Sequence, residues 1–193
     1  MPVDLPESNI IDRLDQCSID KVYIAYQFED VIQSIIHAIK YRKMTRLGIV
    51  TGRHSAEILK PYLEQTEEKI FIPVPLHPMR QKERGYNQSQ FITEGIKKIT
   101  GGRILKHCLT RSKNTVSQTS LNREERQLNI DRAFHVRNAK DISGKTILLV
   151  DDLITTGATI NECAGLLKES GAKSVIGVAV ASPVIFQPNA SAV

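Results

Sequence analysis

The sequence predicts an α/β fold in which helices flank a mainly parallel, twisted sheet. Residues 146–150 (TILLV) and 174–181 (SVIGVAVA) are predominantly apolar, as expected of strands that are buried on both faces. Between them, residues 158–170 fit a helix that ends at Gly171, a residue type common just after a helix. A strand, a helix and a strand in this order predict a parallel right-handed crossover.

The amino-terminal third has weaker signals. Residues 22–26 (VYIAY) fit a short strand, and residues 30–42 fit an amphipathic helix with one regular apolar face. Residues 54–63 also fit a helix. Gly48 and Gly52 leave its start undefined, because glycine usually weakens a helix.

The middle of the chain alternates between strand and helix patterns. Asn122 and Glu125 have the spacing of a capping box, which predicts a short helix through Gln127. Residues 110–120 are polar and lack periodicity. The other elements predicted here are strands at 69–75, 103–109 and 133–137 and a helix at 87–99.

The composition is that of a globular protein with a basic middle segment. The chain has 193 residues, of which 41% are hydrophobic and 24% charged, with a net charge of +5. Residues 77–126 hold 11 basic and 4 acidic side chains, a local charge of +7. Such a segment favours a polyanionic partner, either nucleic acid or a pyrophosphorylated small molecule. The alternative is a solvated surface.

Several classes of protein are not indicated. No apolar run approaches the length of a membrane span, and residues 1–16 do not resemble a secretory signal. Cys17, Cys108 and Cys163 form neither a disulfide framework nor a metal-binding pair, so we expect no structural zinc site. Cys108 and Cys163 fit buried apolar positions. We expect a cytoplasmic location.

The most informative stretch is residues 147–159 (ILLVDDLITTGAT). Asp151 and Asp152 follow a buried strand, and ligands of α/β sheets bind at that end of the strands. The loop Thr155–Thr159, which comprises Thr155, Thr156, Gly157, Ala158 and Thr159, offers hydroxyls and a helix amino terminus to a phosphate. The two carboxylates can accept hydrogen bonds from the vicinal hydroxyls of a ribose. The alternative is a capped helix beside two solvated aspartates.

This stretch resembles the binding signature for 5-phosphoribosyl 1-pyrophosphate (PRPP) of type I phosphoribosyltransferases. It has four apolar residues, two acids, two variable residues and a Thr-Thr-Gly-x-Thr loop. The resemblance implies the type I phosphoribosyltransferase fold. It also implies that Asp151 and Asp152 bind the ribose hydroxyls, and that Thr155 to Thr159 bind the 5-phosphate.

A second stretch, residues 72–89 (IPVPLHPMRQKERGYNQS), is similar to the "PVPL…RGFNQS" pattern of the ComF family, phosphoribosyltransferase-like proteins associated with bacterial DNA uptake. Residues 37–42 (HAIKYR) resemble that family's helix ending in "lKy". A third match has the family's Q–L–R–N–AF spacing, at Gln118, Leu121, Arg126, Asn129, Ala133 and Phe134. Many ComF-like proteins also carry amino-terminal cysteine pairs, which this chain lacks.

The resemblance implies where pyrophosphate would bind. Type I enzymes hold pyrophosphate on the loop that here comprises Val74, Pro75, Leu76 and His77. The charges of Arg80, Lys82 and Arg84 could neutralise it, although a solvated basic loop is the alternative. We interpret His77 as an ordinary loop residue and not as a catalytic base.

Residues 110–126 occupy the position of the mobile catalytic loop in type I enzymes. Basic side chains there could close over bound pyrophosphate, and the alternative is an ordinary surface loop. The loop residues singled out are Arg111, Lys113, Gln118, Arg123 and Arg126.

These observations lead to one main hypothesis of function. We expect a phosphoribosyltransferase core at residues 46–193 and an amino-terminal helical appendage at residues 1–45. The core would bind PRPP, with Mg²⁺ on the pyrophosphate, and could transfer its phosphoribosyl group. The alternatives are a factor that handles single-stranded DNA in natural transformation and a PRPP-sensing regulator. The sequence indicates neither the acceptor nor the oligomeric state.

Overall fold

Strands and helices alternate along the part of the chain that the structure describes, residues 17–111 and 133–183 of a computed structural model. None of the helices in these ranges is long and apolar enough to cross a membrane. In chain order the elements are β1 (Lys21–Gln27), α1 (Asp30–Tyr41), α2 (Thr45–Leu63), β2 (Ile70–Pro73), α3 (Pro78–Arg84), α4 (Gln88–Thr100), β3 (Arg103–Ile104), β4 (Leu109–Arg111), β5 (Phe134–Val136), a short 3₁₀ helix (Ala139–Asp141), β6 (Thr146–Leu153), α5 (Ala158–Glu169) and β7 (Ser174–Ser182).

The main sheet has five strands in the order β1-β7-β6-β2-β3, and neighbouring strands all run parallel. Val150 of β6 pairs with Val178 on one side and with Pro73 on the other. Strands β4 and β5 form a separate antiparallel pair. The predicted α/β fold with a mainly parallel sheet is therefore confirmed, and the carboxyl ends of its strands meet along one edge.

The side chains of β6 alternate between two apolar cores on opposite faces of the sheet. Ile147 and Leu149 belong to the core that includes Cys163 and other residues of α5. Leu148 and Val150 belong to the core that includes residues of α1, α2 and α4. These side chains are fully buried, because helices cover both faces of the sheet.

Helices α2 and α4 pack with their backbones in contact. A side-chain carbon at Gly52 would lie 2.1 Å from the carbonyl oxygen of Ile92, and one at Gly95 would lie 2.1 Å from that of Ile49. Helix α2 begins at Thr45 and not near residue 54 as expected. Its glycines do not mark a boundary, because they make room for the backbone of α4.

Two further expectations about single elements are corrected. The predicted strand at 103–109 divides into β3, at the edge of the main sheet, and β4, in the separate pair. The chain turns between them at Cys108, which is buried as expected. The basic segment after β2, expected as a loop, contains helix α3. This helix begins at Pro78 and ends at Arg84. Gly85 follows it in the left-handed conformation that glycine favours.

The expected appendage at residues 1–45 contains part of the main sheet. Strand β1 pairs with β7 from Lys21 to Gln27, so the hydrogen bonds of its backbone tie it to the core. The sheet therefore begins well before residue 46. Helix α1 follows β1 directly, and its Ile36 and Ile39 are buried in the same protein core.

Candidate functional site

The loops after β2 and β6 lie side by side at the carboxyl edge of the sheet. The N–H of Val74 donates to the carbonyl oxygen of Val150 at 2.8 Å, which continues the pairing of the two strands to their ends. The segment Val74 to His77 therefore begins next to Asp151. Pro75 and Leu76 are half-buried there.

The loop after β6 forms a small pocket. Gly157 has a φ of +81°, which a residue with a side chain rarely adopts, and helix α5 begins immediately after it. The N–H of Ala158 donates to Thr156 Oγ1 at 3.4 Å. The pocket has a volume of about 60 Å³ and is lined by Asp151, Leu153, Ile154, the loop Thr155–Thr159 and Ile160. The first N–H groups of a helix lack partners within it, so this pocket suits an anion.

Asp151 is the carboxylate that faces this pocket. It is half-buried, and its Oδ1 accepts hydrogen bonds from Ser89 Oγ at 2.9 Å and from the N–H of Asp152 at 2.8 Å. Burial and the neighbouring Asp152 carboxylate raise the pKa of Asp151 well above the usual range.

Asp152 lies on the other side of the strand and is buried. Its Oδ2 is 2.5 Å from Lys40 Nζ of helix α1, and the side chains of Lys40 and Asp152 are 21% and 5% exposed. Gln88 Nε2, at the start of α4, donates to Asp152 Oδ1 at 3.2 Å. Both oxygens of this carboxylate thus contact the protein.

The sequence analysis did not assign roles to Lys40, Gln88 or Ser89. Gln88 and Ser89 stand in the motif RGYNQS and Lys40 in HAIKYR, so the motifs themselves were the available signal. Which of their side chains would reach an aspartate depends on how α1 and α4 pack on the sheet.

Helix α3 presents its basic side chains beside α1. Arg84 Nη1 donates to Gln88 Oε1 at 2.5 Å, and its guanidinium carbon lies 5.4 Å from the ring centroid of Tyr41. Arg80 pairs with Glu83 at 3.1 Å, and Lys82 is exposed. A pocket of about 120 Å³ lies between the two helices, and we call it the basic pocket. It is lined by Lys40, Tyr41, Lys43, Arg80, Glu83 and Arg84.

Two residues of the second motif shape the backbone. His77 Nδ1 accepts the N–H of Met79 at 3.3 Å and so caps α3. Asn87 Nδ2 donates to the carbonyl oxygen of Val74 at 2.9 Å, while its Oδ1 accepts the N–H of Ser89. Asn87 thereby ties the start of α4 to the loop after β2.

Comparison with known proteins gives one family. The phosphoribosyl transferase domain matches residues 23–184. Competence protein F of Haemophilus influenzae is 29% identical over 81% of the chain, and Competence protein ComFC of Streptococcus pneumoniae is 38% identical over 62% of it. DNA utilization protein YhgH of Escherichia coli is 28% identical over 75%.

This chain is a ComF-family protein with a phosphoribosyl transferase domain. The family model confirms the type I phosphoribosyltransferase fold that the strand–acid–loop motif predicts. The chain spans 70%, 51% and 64% of the lengths of these three relatives, respectively.

The residues that the sequence analysis assigns to a catalytic loop fall mostly outside the described residues. Arg111, at the end of β4, is described, and its guanidinium carbon lies 4.9 Å from the ring centroid of Phe134. The other four, Lys113, Gln118, Arg123 and Arg126, and the predicted helix at Asn122 to Gln127, lie outside.

A larger cavity, of about 540 Å³, lies at the opposite edge of the sheet. It opens at the amino ends of β1, β6 and β7, next to Lys21, Thr146 and Ser174. We place the candidate site at the carboxyl edge despite the smaller pockets there. Ligands of parallel sheets bind at that edge, and the aspartate pair and the helix amino terminus are both there.

Proposed function

We propose that this ComF-family protein binds PRPP at the carboxyl edge of its sheet. The observation that carries the proposal is that Asp151 and the loop Thr155–Thr159 line one pocket. On the far side of the aspartate pair lies the basic pocket. These three features lie in the order of an anion site, a pair of hydroxyl acceptors and a cluster of cations. A ribose with phosphates at both ends has the matching groups in the same order.

The 5-phosphate would occupy the pocket of the loop Thr155–Thr159. The hydroxyls of Thr155, Thr156 and Thr159 and the first N–H groups of α5 are hydrogen-bond donors for its oxygens. Thr155, Thr156 and Thr159 are exposed and Gly157 lets the backbone turn sharply there. These features fit a phosphate better than they fit a merely capped helix.

The ribose would lie over Asp151 and Asp152. Asp151 is half-buried and next to the phosphate pocket, so its carboxyl oxygens can accept a hydrogen bond directly from a ribose hydroxyl. Asp152 is engaged by Lys40 and Gln88, and a ribose hydroxyl has to share it with them. We therefore propose that Asp151 makes the first contact with the sugar.

The pyrophosphate would lie between the loop Val74 to His77 and the basic residues Arg80, Lys82 and Arg84. Arg80 and Arg84 line the basic pocket, whereas Lys82 is exposed on α3 and would add charge from the rim. Mg²⁺ prefers hard oxygen ligands, which pyrophosphate provides. Since one oxygen of Asp152 pairs with Lys40, we propose that Mg²⁺ binds through the pyrophosphate of the ligand.

Phosphoribosyl transfer is the reaction that we propose for this site. Charge develops at the anomeric carbon as pyrophosphate leaves, so catalysis requires positioning of the ribose and stabilisation of the leaving group. The aspartates and the loop Thr155–Thr159 would position the ribose, and the cations of α3 would stabilise the leaving pyrophosphate. The acceptor remains to be identified by screening.

Handling of single-stranded DNA is the second candidate function. We consider it because residues 77–126 carry a charge of +7 and because relatives are named for competence and DNA utilization. Phosphate contacts supply most of the affinity for nucleic acid, so binding of this kind would fall steeply as salt rises. A PRPP-sensing regulator would combine both properties, because PRPP would then change its affinity for DNA.

The proposal is tested by calorimetric titration of PRPP with Mg²⁺ into the wild type and into Asp151→Asn/Asp152→Asn. We expect saturable binding by the wild type and a loss of at least about tenfold in the double variant, because the ribose hydroxyls lose the carboxyl acceptors of both residues. Asp30→Asn, an exposed carboxylate in the first turn of α1, is the matched control and should bind like the wild type.

Absence of PRPP binding by well-folded wild type would reject the proposal. Salt-dependent binding of a single-stranded oligonucleotide by the same sample would then favour the second candidate. Binding without pyrophosphate release, over a screen of nucleobases, amines and oligonucleotides, would separate a sensor from an enzyme.

A further inference from the structure

Lys40 connects two parts of the site that lie on different sides of the aspartate pair. Its Nζ is 2.5 Å from Asp152 Oδ2, and its side chain also lines the basic pocket. Of the cations that line this pocket, Lys40 is the one paired with an aspartate of β6. A movement of a few ångströms would therefore transfer its charge from the carboxylate to an anion in the pocket.

The charges around Lys40 favour an anionic occupant of the pocket. The lining contains four cationic side chains, those of Lys40, Lys43, Arg80 and Arg84, and one carboxylate, that of Glu83. Glu83 already pairs with Arg80. The pocket therefore has a surplus of positive charge, and its volume of about 120 Å³ admits a small anion.

We propose that Lys40 is a pyrophosphate-binding residue that Asp152 holds in place in the empty protein and releases when the ligand binds. This inference rests on the proposed function and assigns to helix α1 a part in the site. Lysine suits the task because its ammonium group sits on a flexible four-carbon stem and can exchange partners.

The exchange links the two ends of the ligand. A buried carboxylate that loses its cation is destabilised unless other donors replace it. Ribose hydroxyls supply such donors to Asp152, and pyrophosphate supplies the anion that Lys40 then pairs with. A ligand that carries both groups satisfies both partners, whereas ribose 5-phosphate alone leaves Lys40 on Asp152.

The test compares three ligands, each with Mg²⁺: PRPP, ribose 5-phosphate and inorganic pyrophosphate. For Lys40→Met we expect the affinity for PRPP to fall about ten- to hundredfold, as for a lost charge-assisted hydrogen bond. The affinity for pyrophosphate should fall less, because pyrophosphate alone supplies no donor that replaces Lys40 at Asp152. The affinity for ribose 5-phosphate should stay within about twofold of the wild type or rise, because Lys40 no longer competes for Asp152.

Two variants serve as controls. Lys40→Arg keeps the charge and should keep most of the affinity for PRPP and pyrophosphate, which a loss of packing would not explain. Lys97→Met makes the same change on an exposed lysine of α4, nine residues and about 13 Å along the helix from Gln88, and should behave like the wild type. Thermal unfolding of each variant establishes that it is folded.

An equal loss of affinity for all three ligands in Lys40→Met would overturn the inference, since Lys40 would then only position Asp152. Unchanged binding of PRPP would overturn it too, while leaving the proposed function intact. If the wild type binds none of the ligands, the proposed function itself fails, and this inference fails with it.

Discussion

The two sides of the main sheet surround the end of β6 differently. On the side of α5, Asp151 faces an open pocket made by exposed threonines and a helix amino terminus. On the side of α1 and α4, Asp152 is buried and held by Lys40 and Gln88. Adjacent residues of a strand point to opposite faces, so one dipeptide supplies two carboxylates with different surroundings.

This difference shows that one side of the sheet leaves a carboxyl group accessible, while the other side holds a carboxyl group in a fixed position. We call the side of α1, α2 and α4 the supporting side and the side of α5 the accessible side. The side of α5 has an open pocket because its loop turns at Gly157 and leaves polar groups exposed. The other side gains a fixed arrangement because α2 and α4 approach until their backbones touch, which places the start of α4 against both aspartates. The end of β6 therefore carries one pre-positioned carboxyl group, that of Asp152, and one accessible carboxyl group, that of Asp151.

The largest effect is expected where the supporting side is broken. Gly95→Ala places a side-chain carbon 2.1 Å from the carbonyl oxygen of Ile49, so α2 and α4 must separate. We expect the free energy of unfolding in urea to fall by about 3 kcal/mol or more. Gly144→Ala is the control: its φ is +67° and its surroundings are open, so it should cost about 1 kcal/mol. Equal losses would mean that the helix contact is less tight than described.

A smaller effect, of opposite sign, is expected on the accessible side. Because the pKa of Asp151 is raised on folding, the carboxyl group of Asp151 binds its proton more tightly in the folded protein than in the unfolded chain. Its stability therefore falls as pH rises from the ordinary value of 3.8 through the raised pKa. Asp151→Asn keeps an oxygen that can accept from Ser89 and removes this penalty.

We expect Asp151→Asn to be more stable than the wild type by about 1–2 kcal/mol at pH 8 and equal to it near pH 4. Thermal unfolding from pH 4 to pH 9 measures the difference, with Asp30→Asn as the exposed control. A difference that is the same at every pH would show that the charge of Asp151 is not its cause.

The smallest effect concerns the attachment of α1 to the supporting side. Tyr86 OH donates to the carbonyl oxygen of Ile39, one residue before Lys40, and its ring makes an edge contact with Phe91. Tyr86→Phe restores the residue of the ComF pattern and should cost about 1 kcal/mol in urea unfolding. It should also speed amide exchange at the end of α1. Tyr41→Phe, at a residue that is 62% exposed, is the control and should change little. Unchanged exchange in Tyr86→Phe would mean that this hydrogen bond does not hold the end of α1 in place.

Much of the fold follows from the sequence because its signals are local. The apolar runs at β6 and β7 and the helix pattern between them predict a parallel crossover, which the structure has. The sequence predicts less well those features that depend on residues far away in the chain. Glycines that look like helix breakers in α2 are contact points for α4, and a strand assigned to an appendage lies at the edge of the sheet.

The candidate site divides in the same way. The sequence by itself determined that Asp151 and the loop Thr155–Thr159 follow one buried strand, since a strand, a loop and a helix start are consecutive in the chain. Only the tertiary structure decided that Lys40 pairs with Asp152, 112 positions away in the numbering, and that Ser89 donates to Asp151. These contacts depend on how α1 and α4 pack on the sheet. Packing brings these residues together, and the number of positions between them in the sequence does not predict their distance in the fold.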